Sequence, residues 1–178
     1  HHIPFPYPWV LNGCSPDAFL DDALDKLVTS GIDFSQDICG FMLETFQGWG
    51  AVFYPPAFVK AIEKICRKNN VLLAFDEMQA GFGRTGTAFG FEHYGVTPDL
   101  IAIGKGMGGG VPLSGVLGRA EIMDLPEIGN MSSTHSANPL ACAAGLAVIQ
   151  EIESRNLIDE VARKGGLLFN ALYELQKH

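Results

Sequence analysis

The feature that most constrains the fold is a series of short apolar runs, each of which stops at an ionisable side chain. Three such runs lie at residues 38–44, 71–75 and 100–103. They end at Glu44, just before Asp76 and, after one glycine, just before Lys105. Short apolar runs of this length are typical of buried strands, and parallel strands bring their carboxyl ends to one sheet edge, where ligands bind. We therefore expect these three side chains to converge on one site.

Segments with helical periodicity separate the apolar runs. Helices are predicted over residues 15–30, 57–69, 139–152 and 158–176, and a fourth strand over residues 113–117. This order favours an α/β fold with a mainly parallel sheet between helices. The segment 139–152 is alanine-rich and mostly apolar, so we expect that helix to be buried on most sides. The proline-rich residues 1–16 are expected to form an extended surface strap.

Composition excludes several classes of partner. The net charge of −8, from 12 basic and 20 acidic residues, argues against nucleic acid, which requires a basic face. No apolar run approaches the ~20 residues that span a bilayer, so no membrane partner is expected. Four widely spaced cysteines form no C-x-x-C pair: Cys14, Cys39, Cys66 and Cys142. This spacing is typical of reduced thiols in a cytoplasmic protein, and no metal site is predicted.

Lys105 is the first candidate for chemistry, because five glycines surround it in I-G-K-G-M-G-G-G. The glycines leave room for a planar ligand to approach the backbone, and a lysine amine can form a Schiff base with a carbonyl group. A surface lysine on a flexible glycine loop is the alternative. The run has neither the G-x-G-x-x-G register nor the Walker spacing, so a nucleotide-phosphate loop is not predicted.

Asp76 is the second candidate, because it directly follows the apolar run V-L-L-A-F. A carboxylate in this position can pair with the protonated pyridine nitrogen of a cofactor. A helix N-cap and a metal ligand are the other two roles that the position allows. The run by itself leaves all three open.

Three ordered motifs carry a resemblance to a known family. They are D-E-M-Q-A-G-F-G-R-T-G-T at residues 76–87, T-P-D-L-I-A-I-G-K-G-M-G-G-G-V-P-L-S-G at 97–115 and S-T-H-S-A-N-P-L-A-C-A-A at 133–144. In these motifs, and over about residues 38–178, the chain resembles the class III aminotransferases. These are pyridoxal 5'-phosphate (PLP) enzymes of fold type I and include 4-aminobutyrate and ornithine aminotransferases. The resemblance implies the α/β large domain of that fold.

The resemblance also implies roles for individual side chains. Lys105 matches the lysine that forms a Schiff base with PLP and later moves a proton. Asp76 matches the partner of the pyridinium nitrogen, Met78 the apolar residue on one ring face and Gln79 the glutamine near the 3'-oxygen. Thr134 matches the threonine that reaches the phosphate of the neighbouring subunit's cofactor, which implies a homodimer.

Two further residues bear on the substrate pocket. Glu44 matches the acidic residue at the start of E-P-x-Q-G in the family, whereas this chain reads E-T-F-Q-G-W-G with Thr45 in place of the proline. Many members carry, after Q-G, a glutamate that can pair with a substrate-binding arginine, and Trp49 stands there instead. Trp49 argues against ornithine-like or 4-aminobutyrate-like specificity and suits a bulkier amine. Packing of Trp49 beside Pro55 and Pro56 is the alternative.

The activity implied is transfer of an amino group between an amine or amino acid donor and a 2-keto acid acceptor through a PLP Schiff base. A decarboxylase, an aminomutase and a racemase are alternatives on the same fold, and an inactive truncated domain is an alternative of another class. Residues 1–156 are expected to form part of the cofactor-binding large domain, and residues 157–178 to begin the passage to a small domain. The chain is therefore expected to be a fragment with little activity of its own.

Overall fold

The computed structural model describes residues 1–177, which form helices around one central sheet. In chain order the elements are α1 (Pro8–Leu11), α2 (Pro16–Thr29), α3 (Phe34–Asp37), β1 (Gly40–Glu44), β2 (Phe46–Gln47), β3 (Val52–Phe53), α4 (Pro56–Asn69), β4 (Leu72–Asp76), β5 (Leu100–Ile103), β6 (Gly115–Gly118), α5 (Ala120–Met123), α6 (Pro139–Ser154) and α7 (Leu157–Leu175). Two single 3₁₀ turns, Gly90–Tyr94 and Lys105–Gly108, lie in the connections.

The central sheet has the strand order β1-β4-β5-β6. The first three strands are parallel, and β6 runs antiparallel to β5. The register places Glu44 opposite Asp76, and Asp76 opposite Ala102. The predicted α/β fold with a mainly parallel sheet is therefore confirmed.

The hydrophobic core lies between this sheet and helices α2 and α4. Its buried side chains come from α2, β1, α4, β4, the 3₁₀ turn Gly90–Tyr94 and the residues next to β4 and to that turn: Leu20, Leu43, Phe58, Val59, Ile62, Cys66, Val71, Leu73, Phe75, Tyr94 and Val96. Helix α2 begins at a serine cap, where Ser15 Oγ accepts a hydrogen bond from Ala18 N at 3.3 Å. A proline occupies the next position, where a helix needs no N–H donor.

Several local predictions were wrong. The extended strap contains one helical turn, α1, which begins at Pro8 because proline is compatible with the first helical position. The fourth strand begins at Gly115 rather than residue 113 and is antiparallel, a direction that a short apolar run does not encode. The two-residue strands β2 and β3 pair as a hairpin that was not predicted.

Helix α6 was predicted to be buried on most sides, and this was wrong. Only Ala141 and Gly145 are buried, whereas the side chain of Leu140 is 74% exposed. The helix packs against α7 and against the turn that contains Lys105. A Cβ on Gly145 would lie 2.6 Å from Leu113 Cδ2, so this glycine allows α6 to approach that region closely.

A buried carboxylate, Asp99, ties four elements together just before β5. It is 3% exposed and accepts hydrogen bonds from Leu73 N at 2.8 Å, Arg67 Nη1 at 2.6 Å and Arg119 Nη1 at 3.0 Å. Burial acts to raise the pKa of Asp99, but the hydrogen bonds from Leu73 and the two guanidinium groups outweigh it and hold the pKa below its usual value. The carboxylate is therefore charged and fully paired.

Two further findings concern membrane-spanning helices and the cysteines. No helix within residues 1–177 is long and apolar enough to cross a membrane. All four cysteines are free thiols, and only Cys66 is buried. Burial raises the pKa of the Cys66 thiol to about 11.

We expect Asp99→Ala to destabilise the protein by about 2–3 kcal/mol, because Leu73 N–H would be left buried without an acceptor and the two guanidinium groups would lose their shared partner. The measurement is the free energy of unfolding in urea. Glu151→Ala, which breaks the exposed pair with Arg155, is the control and should have a much smaller effect. Equal losses in the two variants would contradict the anchoring role of Asp99.

Candidate active site

The three strand-terminal side chains lie on neighbouring strands at one edge of the sheet. Glu44 and Asp76 are the last residues of β1 and β4 and are paired in register. Asp76 is also paired with Ala102 on β5, three residues before Lys105. Adjacent strands are about 4.8 Å apart, so the backbones that carry these side chains are close together. The expected convergence at the carboxyl edge is thus present at the level of the backbone.

Lys105 has an unusual backbone conformation. Its φ is +46°, in the left-handed region that costs a non-glycine residue about 1–2 kcal/mol. It opens the 3₁₀ turn directly after the buried Gly104, and its side chain is exposed. No salt bridge to Lys105 forms among residues 1–177. A strained backbone of this kind persists only where the surrounding structure holds it in place, and such residues are found most often at functional sites.

A cavity of about 570 Å³ opens beside Lys105. Its other walls are residues 110–114, the side chains of Ser133 and His135, residues 136–138 and Ala141. The hydroxyl oxygens of Ser133 and Ser136 are 3.1 Å apart. Asp76 and Thr134 do not line this cavity. The structure therefore brings Lys105 together with the third sequence motif, whereas Asp76 lies outside this cavity at the end of the neighbouring strand.

Met78 connects the Asp76 segment to the Lys105 segment. Asp76 Oδ1 accepts a hydrogen bond from Met78 N at 2.9 Å, which fixes the turn after β4. The sulfur of Met78 lies directly over Gly104, so that a Cβ at Gly104 would overlap with it. Met78 therefore contacts Gly104, the residue that directly precedes Lys105.

Glu44 and Gln79 meet at the hairpin between β2 and β3. Gly48 N donates to Glu44 Oε2 at 3.0 Å, and a Cβ at Gly48 would lie 3.0 Å from Gln79 Oε1 and 3.1 Å from Glu44 Oε1. The next residue, Trp49, is 97% exposed. A side chain with that exposure has no packing partner within residues 1–177, so the alternative that it packs beside Pro55 and Pro56 was wrong.

Sequence reasoning missed a buried polar network directly behind these residues. Glu77 is 0% exposed and accepts hydrogen bonds from the Thr45 hydroxyl, from Gly90 N at 2.8 Å and from Phe91 N at 2.8 Å. The Tyr94 hydroxyl donates to Thr45 O at 2.5 Å. Strand alternation could have indicated Glu77, because the residue after Asp76 must face the opposite side of the sheet.

Tyr94 and Tyr54 have raised pKa values in this region. Burial, reinforced by the negative charge of Glu77, raises the pKa of Tyr94 to about 12. Burial, reinforced by the charge of Glu44, raises the pKa of Tyr54 to about 12. Tyr94 therefore stays protonated over the physiological range and keeps donating its hydrogen bond.

The family model described as aminotransferase class-III matches residues 2–178. The chain belongs to the class III aminotransferases. The resemblance that was inferred from the three motifs is thus confirmed, and the site residues named above lie in the part of the chain that the family model covers.

Among class III aminotransferases, the acetylornithine aminotransferase of Caldanaerobacter subterraneus is 43% identical over 79% of this chain and 36% of its own length. The 4-aminobutyrate aminotransferase of Escherichia coli K12 is 37% identical over 97% of this chain and 40% of its own length. The chain therefore spans about two fifths of the length of these relatives.

Solved structures of transaminases share the fold. A transaminase from the marine bacterium Virgibacillus superposes with a TM-score of 0.83 at 27% identity, over 92% of this chain and 38% of that one. The ornithine δ-aminotransferase of Plasmodium falciparum gives a TM-score of 0.77 at 31% identity, over 88% of this chain and 40% of that one. An ornithine aminotransferase from Toxoplasma gondii, 33% identical with a TM-score of 0.77 over 86% of this chain and 36% of that one, is described with partial occupancy of PLP at its active site.

The side chains at this edge suit PLP, the cofactor of the family, as a set of donors and acceptors. Lys105 provides an amine without an ion-pair partner among residues 1–177, and Asp76 provides a half-buried carboxylate. Ser133 and Ser136 provide hydroxyl groups in the Lys105 cavity. By contrast, no group of three or more His, Cys, Asp or Glu side chains in residues 1–177 could hold a metal ion.

We expect Gly104→Ala to disturb the contact between Met78 and the Lys105 turn and to destabilise the protein by about 1–3 kcal/mol, because the new methyl group would overlap with the sulfur. Met78→Ala in the same chain should recover much of this loss, as measured by urea unfolding in a double-mutant cycle. Gly106→Ala is the matched control, because a Cβ there meets nothing within 4 Å. If the losses of unfolding free energy in Gly104→Ala and Met78→Ala simply add in the double variant, the contact between the two residues is contradicted.

The raised pKa of Tyr94 predicts a loss of stability at alkaline pH. Below pH 10 the tyrosine is protonated in both the folded and the unfolded state; between pH 10 and about 12 only the unfolded state releases the proton, which favours unfolding. Tyr94→Phe should therefore lose less unfolding free energy than the wild type between pH 9 and pH 11. Tyr173→Phe, which removes an exposed hydroxyl from α7, is the control. Parallel stability curves for wild type and Tyr94→Phe would overturn this prediction.

Proposed function

We propose that the full-length protein is a PLP-dependent aminotransferase that moves an amino group between an amine or amino acid and a 2-keto acid. The observation that carries the proposal is the placement of Lys105 and Asp76 at the carboxyl edge of neighbouring parallel strands, at the positions of the family motifs. Membership of the class III aminotransferases supports the same activity. A lysine and an acid on adjacent strand ends can contact two sides of one small ring.

Lys105 is proposed as the catalytic residue. When bound, PLP supplies a carbonyl group for the lysine and an electron-accepting ring for the reaction. The Lys105 amine would hold the cofactor, and as a free amine it would remove the proton from the amine-bearing carbon of the substrate. Its exposed side chain and its cavity give the amine access to a small molecule.

Four other side chains are proposed to bind the cofactor or to complete its site. Asp76 would pair with the protonated ring nitrogen, and Met78 would provide an apolar contact for the ring. Gln79 provides an amide group near the 3'-oxygen. Thr134 is exposed and lies outside the Lys105 cavity. From its match to the family motif, Thr134 is proposed to reach the cofactor phosphate of a second subunit, which makes the protein a homodimer.

Glu44 and Trp49 are proposed to border the substrate pocket. Glu44 lies close to Gln79 at Gly48, and Trp49 is the next residue of the hairpin, with its ring exposed. An indole offers an apolar surface and no negative charge, so it cannot neutralise an arginine in the way that a glutamate does. We therefore infer a donor bulkier and more apolar than ornithine or 4-aminobutyrate.

We also propose a domain assignment and a location in the cell. Residues 1–156 are assigned to the cofactor-binding large domain, and residues 157–178 to the beginning of a passage to a small domain. Helix α7 covers most of that second segment, and His178 lies outside the described residues. A cytoplasmic location is proposed from the reduced thiols.

Racemisation is the second candidate activity. The leucine/methionine racemase of Thermococcus litoralis is 36% identical over 99% of this chain and 41% of its own length. Both activities begin with removal of a proton from the amine-bearing carbon, so the residues described here suit either. Incubation of the full-length protein with candidate donors and a keto acid separates them, because only transfer consumes keto acid in proportion to the amine.

Lys105→Ala should abolish the visible absorbance band of PLP bound to the full-length protein and lower turnover by about 10²-fold or more, because both the covalent attachment and the proton-transferring amine are lost. Borohydride reduction followed by mass spectrometry should label Lys105 in the wild type. Asp76→Asn should keep the attachment but lower turnover, because the ring nitrogen loses its charged partner.

Lys26→Ala is the control for these measurements, because Lys26 pairs with Asp22 on the surface of α2. It should keep both the absorbance band and the activity of the wild type. Persistence of the band in Lys105→Ala would contradict the proposed role of Lys105, and absence of the band from the wild type would support the inactive-domain alternative.

A further inference from the structure

The polar network behind the site contains a side-chain bond between the two strands that end at the site carboxylates. Strand β1 ends at Glu44 and strand β4 at Asp76, and these two residues are register partners. The next residues along each strand, Thr45 and Glu77, are joined by a hydrogen bond from the Thr45 hydroxyl to Glu77 Oε1. We call this bond the Thr45–Glu77 clasp. It continues the β1–β4 pairing one residue beyond the last backbone pair.

The clasp lies on the core side of the sheet. Thr45 and Glu77 are both 0% exposed, whereas Glu44 is exposed and Asp76 is half-buried. Successive residues of an extended chain face opposite sides, so each buried member fixes the direction of the site residue before it. Neither Thr45 nor Glu77 lines the Lys105 cavity, so neither can contact a ligand there.

Glu77 connects the clasp to two further segments. Its backbone N–H donates to Ala102 O on β5 at 2.9 Å, and its carboxylate accepts from Gly90 N and Phe91 N, both at 2.8 Å. Three donors and no acceptor suit a carboxylate, which can only accept. Glu77 thus joins β1, β4, β5 and the end of the loop that carries Met78 and Gln79.

Close packing holds the clasp in place. A Cβ at Gly90 would lie 2.6 Å from Thr45 Cγ2 and 2.9 Å from Ala80 Cβ, so the backbone at Gly90 contacts the threonine methyl group directly. The Tyr94 hydroxyl also donates to Thr45 O at 2.5 Å and accepts from Tyr54 N at 3.1 Å. The threonine is therefore held through its hydroxyl, its methyl group and its carbonyl.

We propose that Thr45 and Glu77 are positioning residues for the site: the clasp sets the spacing and direction of Glu44 and Asp76, and through the loop that of Gln79. This inference rests on the proposed aminotransferase function, because it is the cofactor partner Asp76 that is positioned. A proline, which the family motif has at position 45, has no hydroxyl to donate. The clasp is thus a feature of this sequence and not of the motif.

The test compares Thr45→Val with Thr45→Ser in the full-length protein. Valine keeps the shape of threonine and removes the hydroxyl, whereas serine keeps the hydroxyl and removes the methyl group. The readouts are the dissociation constant of PLP for the cofactor-free protein, kcat and KM for one amine donor, and the melting temperature. We expect Thr45→Val to weaken PLP binding and lower kcat, each roughly tenfold, because small displacements of a binding group are costly, and Thr45→Ser to stay within about twofold of the wild type.

A purely structural role predicts another pattern. Both variants would then melt at lower temperature and, below that temperature, bind PLP and turn over as the wild type does. That result, or equal loss of PLP affinity in Thr45→Val and Thr45→Ser, overturns the positioning role. If Thr45→Val does not fold, Thr45→Ala takes its place. Comparison of Thr45→Ala with Thr45→Ser again contrasts a side chain that lacks the hydroxyl with one that has it.

Glu77→Gln gives an independent test. Whichever way the new amide group is turned, its NH₂, which is a donor, would face a backbone N–H, either that of Gly90 or that of Phe91. This variant should weaken PLP binding at least as much as Thr45→Val, and wild-type affinity in a folded Glu77→Gln protein overturns the proposal. Failure of the wild type to bind PLP through Lys105 would instead refute the proposed function itself. The two failures are therefore distinguishable.

Discussion

The site depends on the in-register pairing of three parallel strands. Because β1, β4 and β5 run in the same direction and are aligned, Glu44, Asp76 and Ala102 form a row, and Lys105 follows three residues beyond its end. A shift of one residue in either pairing would turn a site side chain towards the core. Asp99 fixes the same alignment at the opposite end of the sheet, where it binds both the N–H and the carbonyl of Leu73.

The side chains that support the site are buried, whereas the side chains proposed to bind cofactor or substrate are accessible. The charged or polar groups that hold the site in place are fully enclosed, and no buried side-chain nitrogen or oxygen within residues 1–177 lacks a hydrogen-bond partner. The side chains proposed to meet cofactor or substrate are half-buried or exposed, and Lys105 is not engaged in an ion pair there. A satisfied interior makes the support rigid, whereas side chains with unused hydrogen-bonding capacity can bind a ligand without first breaking internal contacts.

The sequence predicted the parts of the structure that depend on local pattern. The apolar runs ending at Glu44 and near Asp76 and Lys105 identified three strands, because buried parallel strands are apolar throughout. The direction of β6 was not predictable, because parallel and antiparallel strands of four residues have the same composition. The exposure of α6 was not predictable either, since burial depends on what packs against a helix and not on its own residues. The role of Asp99 was not predictable because its partners Arg67 and Arg119 are distant in sequence. The same is true of Glu77, whose partners lie on β1 and in the Gly90–Tyr94 turn.

Two departures from the family motif, four residues apart, have opposite physical consequences. Thr45 is completely buried, and its hydroxyl joins an internal network, so its effect on chemistry must pass through the position of Glu44 and Asp76. Trp49 is almost completely exposed, so its effect must come from direct contact with whatever approaches the hairpin. A buried change of this type alters every reaction of the site to a similar degree, whereas an exposed ring alters the preference among substrates. We therefore expect residue 45 to govern how well the site is assembled and residue 49 to govern which amine enters it.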